Sequence, residues 1–173
     1  MSCETSPGCD TACVYEGNLG EKRRMQSDTQ KQNIPDSNLA TYHMIASLAL
    51  TVISSLGCSY NENIYHKAFL HELALFNIPH ETEKVIPVLY RQNQIGVVRA
   101  DIIVQNNMVV ELKCVAKVTT QHLQQPVRYA QLLKLNQAIL INFPITPDTS
   151  LQIFSLSGNE WTKTEQPYAQ ILC

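Results

Sequence analysis

Nowhere in its 173 residues does the chain carry the eighteen or more consecutive apolar residues that a membrane span needs, so no membrane partner is expected. The longest apolar stretch, Met44 to Leu56, is interrupted by Ser47, Thr51, Ser54 and Ser55 and reads as a buried helix. The N-terminus opens Met-Ser-Cys-Glu and lacks a basic start followed by an apolar block, so an intracellular setting, cytoplasm or nucleus, is the expectation. Positive charge is not in excess: 13 Lys and Arg stand against 15 Asp and Glu, the net charge is −2 and the pI about 6.2. This argues against a tight, non-specific binder of polyanions. A local cluster remains open, drawn from Arg91, Arg99, Lys113, Lys117, Arg128 and Lys134, although each alone reads as solvated surface. Gly-rich phosphate loops and a Gly-x-Ser-x-Gly elbow are absent. Among the histidines, His66 and His71 stand five apart, a poor alignment for a shared zinc ion.

The six cysteines include no Cys-x-x-Cys pair. Cys3, Cys9 and Cys13 could ligate zinc or a cluster but have no clear fourth ligand, whereas Cys58 and Cys114 fall in structured elements, where small core residues or inert thiols are expected. Residues 1 to 36 are rich in Ser, Thr, Gly, Gln, Asp and Lys with little apolar periodicity, which predicts a disordered tail; Glu21-Lys22-Arg23-Arg24 within it reads as a charged linker. With 45% hydrophobic residues, the remainder, 37 to 173, is enough for one domain and too short for two.

Helical spacing of Leu39, Met44, Ile45, Leu48, Val52, Ile53 and Leu56 predicts a helix from Asn38 that stops at Gly57. A second runs from Asn61 to Phe76, with Ser59 or Asn61 as cap. Glu62 then sits in its first turn, where the helix dipole alone would favour a carboxylate. Strands are expected at 85–91, 94–104, 108–115, 138–143 and 151–156. The first two are joined through Gln92-Asn93, and a helix over 119–135 carries Pro126. The segment around Trp161 is expected to cover one edge of the sheet.

Charge is concentrated at one unusual place. Arg99-Ala100-Asp101 and Glu111-Leu112-Lys113 flank an apolar hairpin broken by Asn106-Asn107. An even loop would put Asp101 and Glu111 on opposite faces of the sheet. A three-residue loop, Gln105 to Asn107, sets them directly across the ladder, because side chains alternate with period 2. The odd loop is preferred because it also gathers Ala100, Ile102, Val104, Val110, Leu112 and Cys114 on one face as core. Asp101, Glu111 and Lys113 are left on the other as a site. Carboxylates about 5 Å apart at Cβ repel, and a hard divalent cation, Mg²⁺ or Mn²⁺, would relieve that. Lys113 points the same way and is suited to a phosphate or a hydroxide nucleophile.

An Asp, a strand turn and Glu-x-Lys resemble the core of the PD-(D/E)XK nuclease superfamily. Gly57, Glu62 and Tyr65 are similar to the Gly...Glu-x-x-Tyr signature of its GxxExxY branch. Arg99-Ala100-Asp101, Val110-Glu111-Leu112-Lys113, His122-x-x-Gln125, Tyr129 and Leu140-Ile141-Asn142-Phe143 follow in that branch's order, over roughly residues 38 to 157. The resemblance implies an α/β fold, a restriction-endonuclease-like αβββαβ core with a mixed β-sheet flanked by helices. It implies Mg²⁺-dependent (or Mn²⁺-dependent) hydrolysis of nucleic acid, with DNA the expected substrate. Glu62, Asp101 and Glu111 match the metal-binding acids, Lys113 the catalytic lysine, and Gln125 a polar residue that supports the site. Two departures stand out: Pro126 where an apolar helix former is usual, and Leu123 where an acid is common. A competing reading keeps the fold as a catalytically weak or inactive module that binds nucleic acid or a protein. Dimers are common among nucleases of this fold, so a homodimer is an open expectation, although no exposed apolar stripe is legible as its interface.

Overall fold

The computed structural model describes residues 36–157 and 160–167. The expectations for the tail, for Cys3, Cys9 and Cys13 and for the Glu21–Arg24 run lie outside them, except that Asp36 already begins the first helix. Chain order is α1 (Asp36–Leu56), α2 (Glu62–Leu75), β1 (His80–Tyr90), β2 (Asn93–Val104), β3 (Met108–Lys113), α3 (Thr120–Leu133), β4 (Gln137–Asn142), β5 (Ser150–Ser157) and β6 (Glu160–Pro167). The strands form one mixed sheet in sequence order, antiparallel except for the β3–β4 pair, whose parallel connection runs through α3. From α2 to β4 the order is the expected αβββαβ, with α1 added before it and two strands after it. Trp161 belongs to β6, one of the two edge strands.

α1 buries Ile45, Leu48, Ala49, Val52 and Ile53 against the sheet. Two of its interrupting polar residues satisfy themselves within the helix: the Thr51 hydroxyl donates to the Ser47 carbonyl at 3.1 Å and the Ser54 hydroxyl to the Leu50 carbonyl at 2.7 Å. The resulting helix is more apolar than the sequence reading allowed. By length and composition the eighteen residues Leu39–Leu56 are sufficient to cross a membrane, with a mean hydropathy of 1.5. Here that length is a core helix, its apolar stripe part of one buried cluster with residues of α2 and the sheet. Gly57, at φ 79°, ends it in the left-handed region that glycine tolerates.

The hairpin between β2 and β3 has the odd loop. Ile102 pairs with Val110 and Val104 with Met108, which leaves Gln105, Asn106 and Asn107 as the turn and places Asp101 across from Glu111. Gln105 and Asn106 adopt φ of 51° and 52°. The division into one core face and one site face does not hold, however. Ile103 and Val109, which alternate onto the same side as Asp101 and Glu111, are buried with Tyr129 and Ala130 of α3, and Ala100 joins that second cluster rather than the first. With helices on both sides, the central strands are apolar on both faces, and the charges occupy only their C-terminal end. At the other hairpin, Tyr90 pairs with Asn93, so the turn is Arg91-Gln92, one residue earlier than expected. Both turn residues have positive φ, 47° and 70°, as a tight two-residue hairpin connection requires.

Candidate active site

Three elements bring the charged residues together. α2 starts with Asn61 as N-cap, its side chain accepting from the Ile64 amide at 3.2 Å, which fixes Glu62 as the first helical residue. Adjacent strands supply Asp101 and the Glu111/Lys113 pair, and α3 supplies Gln125. The start of α3 is held by a capping box in which Thr119 and His122 bond each other's backbone amides. His122 therefore caps the helix that carries Gln125, three residues on. Pro126 lies inside α3 without ending it and is buried.

Glu111 is the centre of the arrangement. Its side chain is fully buried, yet Oε1 takes hydrogen bonds from Lys113 Nζ at 2.7 Å and from Gln125 Nε2 at 2.5 Å. Oε2 is buried with no protein partner. Burial and the nearby Asp101 charge push the Glu111 carboxyl up to about 7, against the opposing pull of Lys113. Asp101 Oδ2 accepts from the Leu112 amide at 3.0 Å, tying the carboxylate to the strand that carries Glu111. Glu62 Oε1 stands 4.0 Å from Lys113 Nζ, and burial raises its pKa above the usual carboxylate value. Burial works to lower the Lys113 ammonium, but the charge and hydrogen bond of Glu111 raise it overall, so Lys113 stays a cation.

Two further residues hold this geometry, and the sequence motif named both without a role. Gln125 Nε2 also donates to the Tyr129 hydroxyl at 3.0 Å, one helical turn away. Asn142, 3% exposed, grips the chain just beyond Lys113: its Oδ1 accepts from the Val115 amide and its Nδ2 donates to the Val115 carbonyl, both at 2.9 Å. A lone polar residue in the otherwise apolar run Ala138–Phe143 was the signal for the second. The i, i+4 spacing of Gln125 and Tyr129 was the signal for the first. Gly57 and Tyr65 turn out to bond each other. The Tyr65 hydroxyl donates to the Gly57 carbonyl at 2.7 Å, and its ring stacks on Phe143 with centroids 4.4 Å apart, so both brace the loop that delivers Glu62.

A model of the PD-(D/E)XK nuclease superfamily matches residues 40–153. The chain belongs to that superfamily. No curated protein matches it significantly. Among solved structures it is similar to the one titled "Crystal structure of SSO0001", at 21% identity and a TM-score of 0.39, over 79% of this chain and 65% of that chain. The chain thus spans just under two thirds of that protein's length. All the residues that carry this PD-(D/E)XK reading, from Glu62 to Gln125, fall inside the matched segment.

Among the described residues no three His, Cys, Asp or Glu side chains are drawn together as a metal cluster. The reason is local: Lys113 and Gln125 share one Glu111 oxygen, and Asp101 is tied to the Leu112 amide. The donor set still fits a hard divalent cation. An unpartnered buried carboxylate oxygen faces the electrostatic influence of two further acids, Asp101 and Glu62, and a cation is what such a set lacks. Cys114 beside it carries a soft sulfur that does not suit a hard divalent cation, and burial pushes its thiol up to about 12.

Proposed function

We propose that the protein is a Mg²⁺- or Mn²⁺-dependent nuclease of the GxxExxY branch that hydrolyses phosphodiesters in DNA. The observation that carries this reading is the buried, unpartnered Oε2 of Glu111 beside Asp101, with Lys113 on the neighbouring oxygen. A buried carboxylate oxygen left without a partner costs about 1–3 kcal/mol unless it serves a ligand.

In this reading Glu62, Asp101 and Glu111 hold the ion. The bound ion would neutralise phosphate charge and lower the pKa of an attacking water. Lys113 contributes a fixed positive charge next to the site of attack, where it stabilises a hydroxide or the developing phosphorane charge. Gln125, itself fixed by Tyr129, holds the Glu111 side chain so that its second oxygen stays available. Asn142 keeps the chain beyond Lys113 from swinging away.

The test is calorimetric titration of Mg²⁺ and Mn²⁺ into the protein, followed by incubation with duplex, single-stranded and plasmid DNA and with RNA. Metal binding lost in Asp101→Asn, together with cleavage that EDTA stops, supports the proposal. Specific retention of an oligonucleotide with no cleavage in any metal would favour the competing reading of an inactive binding module. The absence of a preassembled three-acid cluster is the observation on that side.

A further inference from the structure

β2 is longer than the strand it pairs with. Backbone pairing with β3 covers only Ile102 to Val104, so between Asn93 and Asp101 the described partner of β2 is β1 alone. The two form a ribbon that runs past the end of the sheet. Its inner face is anchored: Ile86, Val98 and Ala100 pack with Tyr129 and Ala130 of α3. Its outer face is apolar and bare. Val85, Leu89, Ile95 and Val97 are 55%, 61%, 65% and 57% exposed, and Pro87 is exposed between them. Register places Pro87 directly across from Val97 and Val85 across from Arg99. A two-stranded ribbon is marginal in water without something packed on its hydrophobic face. This patch was not legible as an exposed stripe in the sequence.

We propose that the outer face of the β1–β2 ribbon packs against the same face of a second copy of this chain. Three observations select that occupant. The first is area. At roughly 100 Å² for each exposed side chain, five of them offer about 500 Å² per copy, and two copies bury about 1,000 Å². That is the size at which specific protein interfaces begin, at about 1,000 Å². The second is charge. The charged pair at the base of this face, Arg99 and Glu83, is joined internally at 3.6 Å, so a two-fold partner meets neutral apolar surface against itself. An isologous contact requires that self-complementarity. Apolar side chains offer nothing to phosphate, which removes nucleic acid as the natural cover.

The third is the state of the β1 edge. Strand addition is blocked there: Pro87 has no amide to donate, Glu83 takes a φ of 49°, and the register shifts between Val88 and Leu89. The edge is guarded while the face is not, so association uses side chains and not the backbone.

The experiment is sedimentation velocity on the full chain over a range of concentrations, for wild type, Val97→Lys and Ile95→Lys/Val97→Lys. The wild type is expected to dimerise. The lysines should weaken dimerisation by about tenfold or more while leaving circular dichroism unchanged, and thermal unfolding should match the wild type at concentrations where both are monomeric, because both positions are exposed. Mixing Val97→Lys with Val97→Glu should restore association, which guards against a variant that merely aggregates. A wild type that stays monomeric, or a dimer indifferent to the lysines, overturns the proposal. So does a monomeric wild type whose DNA retention the lysines alter, which would make the ribbon a nucleic-acid surface.

Discussion

Lys113 Nζ stands 2.7 Å from Oε1 of Glu111, two residues earlier on the same strand, while the other oxygen of that buried carboxylate has no protein partner. Removing Lys113 therefore changes two things at once: a cation at the site is lost, and Glu111 is left with a single donor, Gln125. In Lys113→Ala, cleavage is expected to fall by at least about a hundredfold, the loss typical for a group that stabilises transition-state charge. Lys113→Arg should recover little, because a guanidinium does not reproduce the ammonium's single-point geometry. Initial rates under saturating metal measure both.

The Glu111 carboxyl, pushed up to about 7 by burial and Asp101, makes stability depend on pH. The folded protein keeps this proton up to about 7, whereas the unfolded chain releases it near its ordinary value of 4.5. Folded protein is therefore favoured below this window and loses that contribution as pH rises through it. Thermal unfolding in EDTA should show the melting temperature declining from about pH 5 to pH 7, and Glu111→Gln should flatten the slope. Divalent metal competes with the proton, so its affinity should rise over the same interval.

How much of this was legible in sequence depends on the kind of information. Periodicity located the described helices and the central strands, because burial on one helical stripe or on both strand faces leaves a pattern in the residues themselves. The odd hairpin loop, and with it the Asp101–Glu111 pairing, followed from sorting apolar residues by face. The same sorting failed for Ala100, Ile103 and Val109, because α3 covers the second face and no local pattern announces a helix that arrives from later in the chain. Lys113 and Gln125 meeting on one oxygen of Glu111 was also hidden, since rotamers are chosen by packing. The exposed ribbon was missed because strands rich in Val and Ile look identical whether their outer face is covered or bare.

Asn142 should behave as a structural clamp. Replacing it with Ala leaves the Val115 amide and carbonyl without their side-chain partners, and destabilisation of about 2–4 kcal/mol is expected from two lost bonds at a buried position. Asn142→Asp keeps the acceptor but sets a buried carboxylate against the Val115 carbonyl and should destabilise at least as much as Ala. Urea unfolding midpoints at constant slope separate them.

Tyr65→Phe keeps the ring stacked on Phe143 and removes the hydroxyl that bonds the Gly57 carbonyl. The expected loss is about 1–2 kcal/mol of stability. Because that bond braces the loop before α2, metal affinity should weaken as well, through looser placement of Glu62. Calorimetric titration of Mn²⁺ alongside thermal unfolding distinguishes this from a stability effect alone.

The most direct test of the account is metal-dependent cleavage of plasmid DNA by the wild type and by Lys113→Ala, with Mg²⁺ binding measured on the same two preparations. The account predicts that the wild type cuts in Mg²⁺ and not in EDTA, while the variant still binds metal and does not cut. Equal cleavage by both proteins, or none by a wild type that binds metal, would contradict it.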